Sequence, residues 1–168
     1  MTGPRLPSWV LPATSWVLRL ATAAMLAISA SIHADLATRY DNNRNATLTQ
    51  GDAFRIEAGV AAFTALLILV VATRVTWAVA FVVAASALGA VQIYAHYDIG
   101  RIGPLPDMYE PLWYGEKTRA AVAEAIAAGT ALAGFVLAAL SVRARHRALP
   151  RQRSGVEGVH GHVGGRAA

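Results

Sequence analysis

Four long runs of residues carry almost no charge, and they constrain the fold of the chain more than any other feature. They cover residues 20–32, 58–73, 75–93 and 125–142. Each reaches the roughly 20 residues that a helix needs to cross a bilayer once one or two polar residues at its ends are included. Only 15% of the chain is charged, against about 25% in average globular proteins. The sequence therefore predicts an all-α integral membrane protein, a bundle of four transmembrane helices with spans at about 16–35, 54–73, 75–97 and 118–142.

A soluble four-helix bundle is the alternative fold, and it would carry polar residues at every third or fourth position on its outer face. Between residues 58 and 71 only Thr64 is polar, which favours lipid on all sides of this helix. The first run also has the basic flank of a signal peptide. However, Ile28 and Ile32 stand where cleavage requires small residues, so the run is interpreted as an uncleaved helix.

The distribution of charge predicts the orientation in the membrane. If residues 1–15 are cytoplasmic, most of the 15 basic residues lie inside, and only Glu157 of the ten acidic residues joins them. We therefore predict a multi-pass protein of the cell membrane with both termini in the cytoplasm. Residues 143–168 form a basic, glycine-rich tail, predicted to be disordered and to touch anionic lipid headgroups rather than nucleic acid.

The connections between the predicted helices have distinct characters. Residues 73–76 are the whole link between the second and third helices, which predicts a tight antiparallel hairpin. Residues 99–117 contain prolines that prevent a regular helix and aromatic residues that suit the headgroup layer. This loop is expected to lie on the membrane surface as a lid, opposite a second polar loop at 36–53. Thr49 or Asp52 is predicted to cap the second helix.

Small residues are the predicted points of close contact between the helices. Helices that associate in lipid rely on close packing, because the lipid is as apolar as their own side chains. Gly59, Ala62 and Gly129 lie within the apolar runs and are predicted to provide these contacts.

A His-x-Asp pattern occurs twice, each time where an apolar run ends, and a glutamate follows near the start of the next helix. The first set is His33, Asp35 and Glu57, and the second is His96, Asp98 and Glu124. This spacing is compatible with a duplicated two-helix repeat or with chance similarity between alanine-rich helices. In either case each aspartate is predicted to accept a hydrogen bond from the imidazole N–H of the histidine two residues earlier and so to orient that ring.

The two histidines and two glutamates are predicted to share one layer of the bundle. At 1.5 Å per residue they lie about 21 to 33 Å above the arginines that end the helices on the cytoplasmic side, and ionisable residues at that depth normally face the bundle interior. Three hypotheses remain open: a structural polar layer, a proton or solute pathway, and a transition-metal or haem site. In the last, His33, His96, Glu57 and Glu124 bind a metal together, or the two histidines ligate haem axially. Cysteine is absent, so thiolate ligands are excluded.

The four-span layout, with polar residues collected at one end, resembles small DoxX-like membrane proteins. The stretch DIGRIGPLPDMYEPLWYGEKTRAAVAEA is similar to that of uncharacterised four-helix membrane proteins of actinobacteria, and the likeness covers about residues 20–142. The resemblance implies a bacterial protein with a membrane protein partner, and it transfers no catalytic residue. The predicted function is an accessory or scaffold subunit rather than an enzyme, with a metal- or haem-binding redox protein as the alternative.

Overall fold

Four α-helices form the bundle in the computed structural model, which describes residues 10–42 and 46–148. They are α1 (Val10–Ala37), α2 (Gln50–Val70), α3 (Arg74–His96) and α4 (Gly115–Ala148), and a 3₁₀ turn follows α1 at Thr38–Tyr40. All four are long and apolar enough to cross a membrane. The predicted all-α fold with four such helices is confirmed. Residues 1–9 and 149–168, which include most of the predicted tail, lie outside the described residues.

Threonine capping boxes start α2 and α3. The Thr49 hydroxyl accepts a hydrogen bond from the Asp52 N–H at 2.9 Å, and the Asp52 carboxylate accepts one from the Thr49 N–H at 3.0 Å. Thr73 and Thr76 make the same exchange at the start of α3. Such caps satisfy backbone donors that have no partner within the helix. The predicted cap at Thr49 is confirmed, and so is the tight hairpin, since only residues 71–73 separate α2 from α3.

Alanine dominates the interior of the bundle. α1 packs against α2 and α4, and α3 completes the ring by packing against α4 and, less extensively, against α2. Fully buried alanines surround the large core residues Leu26, Ile68 and Trp77, and small side chains let neighbouring helices approach closely. Large apolar side chains such as Phe63 and Leu66 are instead exposed on the outside. This inverted arrangement fits a multi-pass membrane protein whose outer surface contacts lipid.

A glycine other than the predicted ones makes a close contact between helices. Gly59, Ala62 and Gly129 face outward, and a Cβ added at either glycine would meet no atom within 4 Å. The prediction for these three residues was wrong, because small residues occur on every face of an alanine-rich helix. Gly134 of α4 instead packs directly on the indole ring of Trp77, only 2.5 Å from where its Cβ would lie.

Residues 97–114, called the lid below, fold across the end of the bundle where α1 and α3 finish. Gly100 and Gly103 adopt positive φ angles of 65° and 56°, which glycine reaches without strain. The Leu48 N–H donates to the Pro104 carbonyl at 3.0 Å and so joins the lid to the α1–α2 connection. The predicted lid therefore folds over this end of the bundle, called the lid end. Its position relative to a membrane surface stays a prediction.

Arg19 closes the opposite end of the core. Its guanidinium donates hydrogen bonds to the carbonyls of Ile68, at 3.0 Å, and of Leu69, and it lies 4.0 Å above the ring of Trp16. Carbonyls in the last turn of a helix lack partners within the helix. Arg19 therefore caps α2 from α1 and holds these helices together at the end away from the lid.

Candidate functional site

A cavity of about 320 Å³ lies beneath the lid. Its volume is at the lower end of the roughly 300 to 1,000 Å³ typical of small-molecule sites. Side chains from all four helices and from the lid line it. The apolar part of the wall includes Leu36, Ala53, Phe54, Ala87, Val91, Leu105 and Met108. The polar part includes His33, Gln50, Glu57, Tyr94, Glu110, Tyr114 and Lys117. Although polar residues are nearly as numerous as apolar ones, most of the lining surface is apolar, as in small-molecule sites generally.

Ser29, His33 and Glu124 form a buried cluster at one wall of this cavity. The Nδ1 atom of His33 lies 2.9 Å from the carbonyl oxygen of Ser29, one helical turn earlier. A carbonyl can only accept, so Nδ1 carries the hydrogen and Nε2 is the acceptor of the neutral ring. Nε2 lies 3.9 Å from Oε1 of Glu124, and the Ser29 hydroxyl donates to the same oxygen at 2.9 Å. The cluster thus fixes the tautomer of the imidazole and leaves its acceptor nitrogen beside a carboxyl group.

Glu124 is the most deeply buried ionisable residue of the site. Only 1% of its surface is exposed, and its Oε2 atom has no hydrogen-bond partner in residues 10–42 and 46–148. A buried polar atom without a partner is costly to keep. Such a cost is commonly found where a residue serves function rather than stability.

Glu57 presents a second carboxyl group, which lines the cavity from α2. It is half-buried, and it is close enough to Glu124 for the two carboxyl groups to interact electrostatically. Within the described chain it has neither a hydrogen bond nor a salt bridge. Phe54, also on α2, packs its ring edge-on against the imidazole of His33, with the two ring centroids 5.4 Å apart. Glu57 and His33 thus face one cavity from neighbouring helices.

Lys117 supplies a positive charge that the sequence patterns did not single out. It belongs to the first turn of α4, is 8% exposed and lines the cavity. Its ammonium group donates to the carbonyls of Glu110 and, at 3.4 Å, Leu112, and it lies 5.3 Å from the ring centroid of Trp113. The lysine therefore fastens the lid to α4 through carbonyl oxygens.

Three aromatic side chains join the lid to α1 and α2. The hydroxyl groups of Tyr40 and Tyr114 are 3.1 Å apart, and the Tyr40 ring packs edge-on against Phe54 at 5.3 Å. Burial, with a further contribution from this hydrogen bond, raises the pKa of the Tyr114 phenol far above its usual value of 10.0. Tyr114 is therefore uncharged at neutral pH and closes the cavity at the lid.

His96 does not join the other three residues of the predicted layer. It is exposed at the end of α3, its Nδ1 lies 2.8 Å from the Gln92 carbonyl, and it does not line the cavity. His33 and Glu124 meet across α1 and α4, whereas the equivalent contact between His96 and Glu57 is not formed. The two halves of the proposed repeat are therefore unlike at these positions.

The aspartates of the two His-x-Asp patterns also lie apart from the site. Asp35 and Asp98 are exposed, and the Nδ1 atoms of His33 and His96 face backbone carbonyls instead. α1 remains helical through Ala37, and residues two positions apart on a helix point in nearly opposite directions. The expected hydrogen bond between His33 and Asp35 is therefore replaced by one to the carbonyl a turn earlier.

The structure does not assemble the predicted metal or haem ligands. Across the described ranges, no three His, Asp or Glu side chains form a group that could hold a metal ion. His33 is buried beside Glu124 while His96 is exposed, so the two imidazoles do not face each other as axial haem ligands. The site instead offers carboxyl groups, an imidazole, phenols and one ammonium group around a mostly apolar cavity.

Comparisons with known proteins leave the function to be argued from this site. The chain matches no protein family model, no curated protein and no solved structure. The likeness to DoxX-like and actinobacterial membrane proteins stays a proposal.

Proposed function

We propose that this chain is an accessory membrane protein that binds a small amphipathic molecule in the cavity beneath the lid. The observation that carries the proposal is the pairing of a mostly apolar wall with polar side chains, among them Glu57 and His33, on one cavity of ligand size. An apolar body would pack against the wall, and a polar head would reach these two residues. The apolar part of the ligand suits a protein that lies in lipid.

The connections within the buried cluster favour binding over catalysis. Serine, histidine and a carboxylate also form hydrolase triads, in which serine donates to the imidazole and the carboxylate binds the opposite ring nitrogen. Here the Ser29 hydroxyl donates to Glu124 itself. Its oxygen also lies 3.3 Å from Nδ1 of His33, but that nitrogen carries the hydrogen and donates to the Ser29 carbonyl, so it cannot act as the base of the serine. Ser29 is also fully buried. A serine in this arrangement is not activated as a nucleophile, which supports a binding role.

The proposal includes the orientation given by the charges. The lid end faces the extracytoplasmic side of the cell membrane, and both termini are cytoplasmic, where the basic segment after α4 contacts anionic headgroups. A cysteine placed at Asn42 should then react with an impermeant maleimide in intact cells. A cysteine at Ser154, which lies outside the described residues, should react only after lysis. Labelling of Ser154 in intact cells would refute this orientation.

Binding can be tested with the protein in phosphatidylcholine nanodiscs and a panel of twelve-carbon compounds whose head is an amine, a hydroxyl or a carboxylate. A compound that binds the folded state raises the thermal midpoint, since it stabilises that state by about 2.7 kcal/mol at a free concentration of 100 Kd. Replacing Ala87 with Trp should fill the cavity and abolish the response. Ile93→Trp is the matched control, because Ile93 lies on the same helix, is exposed, and does not line the cavity.

The proposal fails if no compound of the panel shifts the midpoint of the unaltered protein. It also fails if Ala87→Trp responds as strongly as Ile93→Trp, because the compounds would then bind elsewhere on the protein or in the lipid.

A further inference from the structure

We propose that the ligand is a lipid-soluble amine, which enters the cavity from the bilayer between α2 and α3 and places its ammonium head against Glu57 and His33. This inference rests on the proposed function and specifies the chemical class of the ligand and its route.

The choice of an amine follows from the hydrogen-bonding groups that the cavity leaves unmatched. Nε2 of His33 is an acceptor, because Nδ1 donates to the Ser29 carbonyl. Glu57 presents a carboxyl group with no hydrogen bond or salt bridge to the described residues. The positive side chain of the cavity, Lys117, already donates to lid carbonyls. Glu57 therefore has no cationic partner among the described residues of the cavity, and an ammonium group would supply hydrogen-bond donors together with the opposite charge.

The charges around the cavity favour a cation over an anion. Glu57 and Glu110 line it, Glu124 lies directly behind His33, and Lys117 is the positive side chain in the wall. A carboxylate head would be placed against groups of its own charge, which is unfavourable in a medium of low dielectric constant. A hydroxyl head would provide a single neutral hydrogen bond. An ammonium head would form charge-assisted hydrogen bonds, which are stronger than neutral ones.

The opening of the cavity points to the lipid as the source of the ligand. α2 and α3 form the least extensive contact in the ring of helices. Ser86 and Ala90 of α3 line the cavity and are nevertheless exposed on the outside of the bundle. Leu105 and Met108 of the lid cover the cavity at the lid end. A lateral opening of a membrane-spanning bundle faces acyl chains, so the ligand would enter with its apolar body in the bilayer.

The test compares dodecylamine, dodecanol and dodecanoate on the protein in phosphatidylcholine nanodiscs, with empty nanodiscs to subtract partitioning into lipid. Dodecylamine should bind most tightly, and Glu57→Gln should weaken it by at least about tenfold while leaving dodecanol unchanged. Glu116→Gln is the matched control, because Glu116 is a carboxylate near the same end that pairs with Arg119 and does not line the cavity. Ala90→Trp, at the opening, should slow association of dodecylamine relative to Ile93→Trp.

The outcomes separate this inference from the proposed function. If dodecanol or dodecanoate binds as tightly as dodecylamine and Ala87→Trp abolishes that binding, the amine assignment is overturned and the proposed function stands. If none of the three binds, both are overturned. If the Glu57→Gln and Glu116→Gln variants bind dodecylamine equally tightly, Glu57 is not the partner of its ammonium group. If dodecylamine associates equally fast with the Ala90→Trp and Ile93→Trp variants, entry between α2 and α3 is overturned. The comparison of the three compounds on the unaltered protein decides the ligand class even if a variant does not fold.

Discussion

Ser29→Ala should destabilise the bundle more than most single hydrogen-bond deletions in a membrane protein. The Ser29 hydroxyl donates to Oε1 of Glu124 at 2.9 Å, while Oε2 is already without a partner in the described part of the chain. Deleting the hydroxyl leaves both oxygens of a fully buried carboxyl group unpaired. The hydroxyl also lies 3.3 Å from Nδ1 of His33, but the main-chain carbonyl of Ser29, which accepts from that nitrogen at 2.9 Å, remains in place.

The magnitude follows from that burial. Hydrogen bonds between transmembrane helices contribute about 0.6 kcal/mol on average, but leaving a buried acceptor unsatisfied costs about 1–3 kcal/mol. We expect a loss in the latter range. In a protein that already carries Glu124→Ala, the Ser29 hydroxyl has no carboxylate on α4 to bond to. Adding Ser29→Ala to that protein should therefore lower the free energy of unfolding only slightly. The coupling between Ser29 and Glu124 should therefore be about 0.5–3 kcal/mol.

The assay is equilibrium unfolding in mixed micelles with an increasing fraction of denaturing detergent, followed by tryptophan fluorescence, to which the buried Trp77 contributes. Ser31→Ala is the matched control, because Ser31 is an exposed serine on the same helix whose hydroxyl donates to the carbonyl of Ile28 within that helix. It should change the free energy of unfolding by less than about 0.5 kcal/mol. If Ser29→Ala costs no more than Ser31→Ala, or if its effect adds to that of Glu124→Ala, the buried cluster is not an energetic unit.

The remaining predictions concern packing, capping and pH. Gly134→Leu should lower the free energy of unfolding by about 1–3 kcal/mol and reduce the folded yield in detergent, because the new side chain displaces the Trp77 ring. Gly129→Leu should leave the folded yield unchanged. Equal yields for the two variants would contradict the packing of Gly134 on Trp77. Thr49→Ala should cost about 1 kcal/mol by removing the α2 cap, and a Thr49→Ser variant should restore most of the unfolding free energy. The raised pKa keeps the Tyr114 phenol protonated in the folded state above pH 10, whereas the same phenol ionises in the unfolded state. The stabilisation that this difference gives the folded state is complete below pH 10 and declines as the pH rises further. The thermal midpoint of Tyr114→Phe should therefore fall less than that of the unaltered protein between about pH 9 and 11, and parallel curves would contradict this.

Local chemistry explains why much of the fold follows from the sequence alone. The apolar runs determine four membrane-spanning helices, because each backbone polar group in lipid must be paired within its own helix. Thr49 and Asp52 mark the start of α2, since a cap depends on residues three positions apart. The hairpin at 71–73 follows from the shortness of the link. None of these features requires knowledge of a distant residue.

The rotation of each helix about its axis is what the tertiary structure alone decided. Counting residues along the helices predicted that His33, Glu57, His96 and Glu124 lie at a similar depth, but His96 faces outward while the other three face or adjoin the cavity. A helix that is apolar on every side carries no amphipathic pattern to show its inner face, and the same ambiguity misplaced Gly129. Lys117 reaches the cavity only because the lid folds back so that the carbonyls of Glu110 and Leu112 bind its ammonium group. The composition of the helices thus fixes where they lie in depth, and side-chain packing between helices distant in sequence fixes which residues meet.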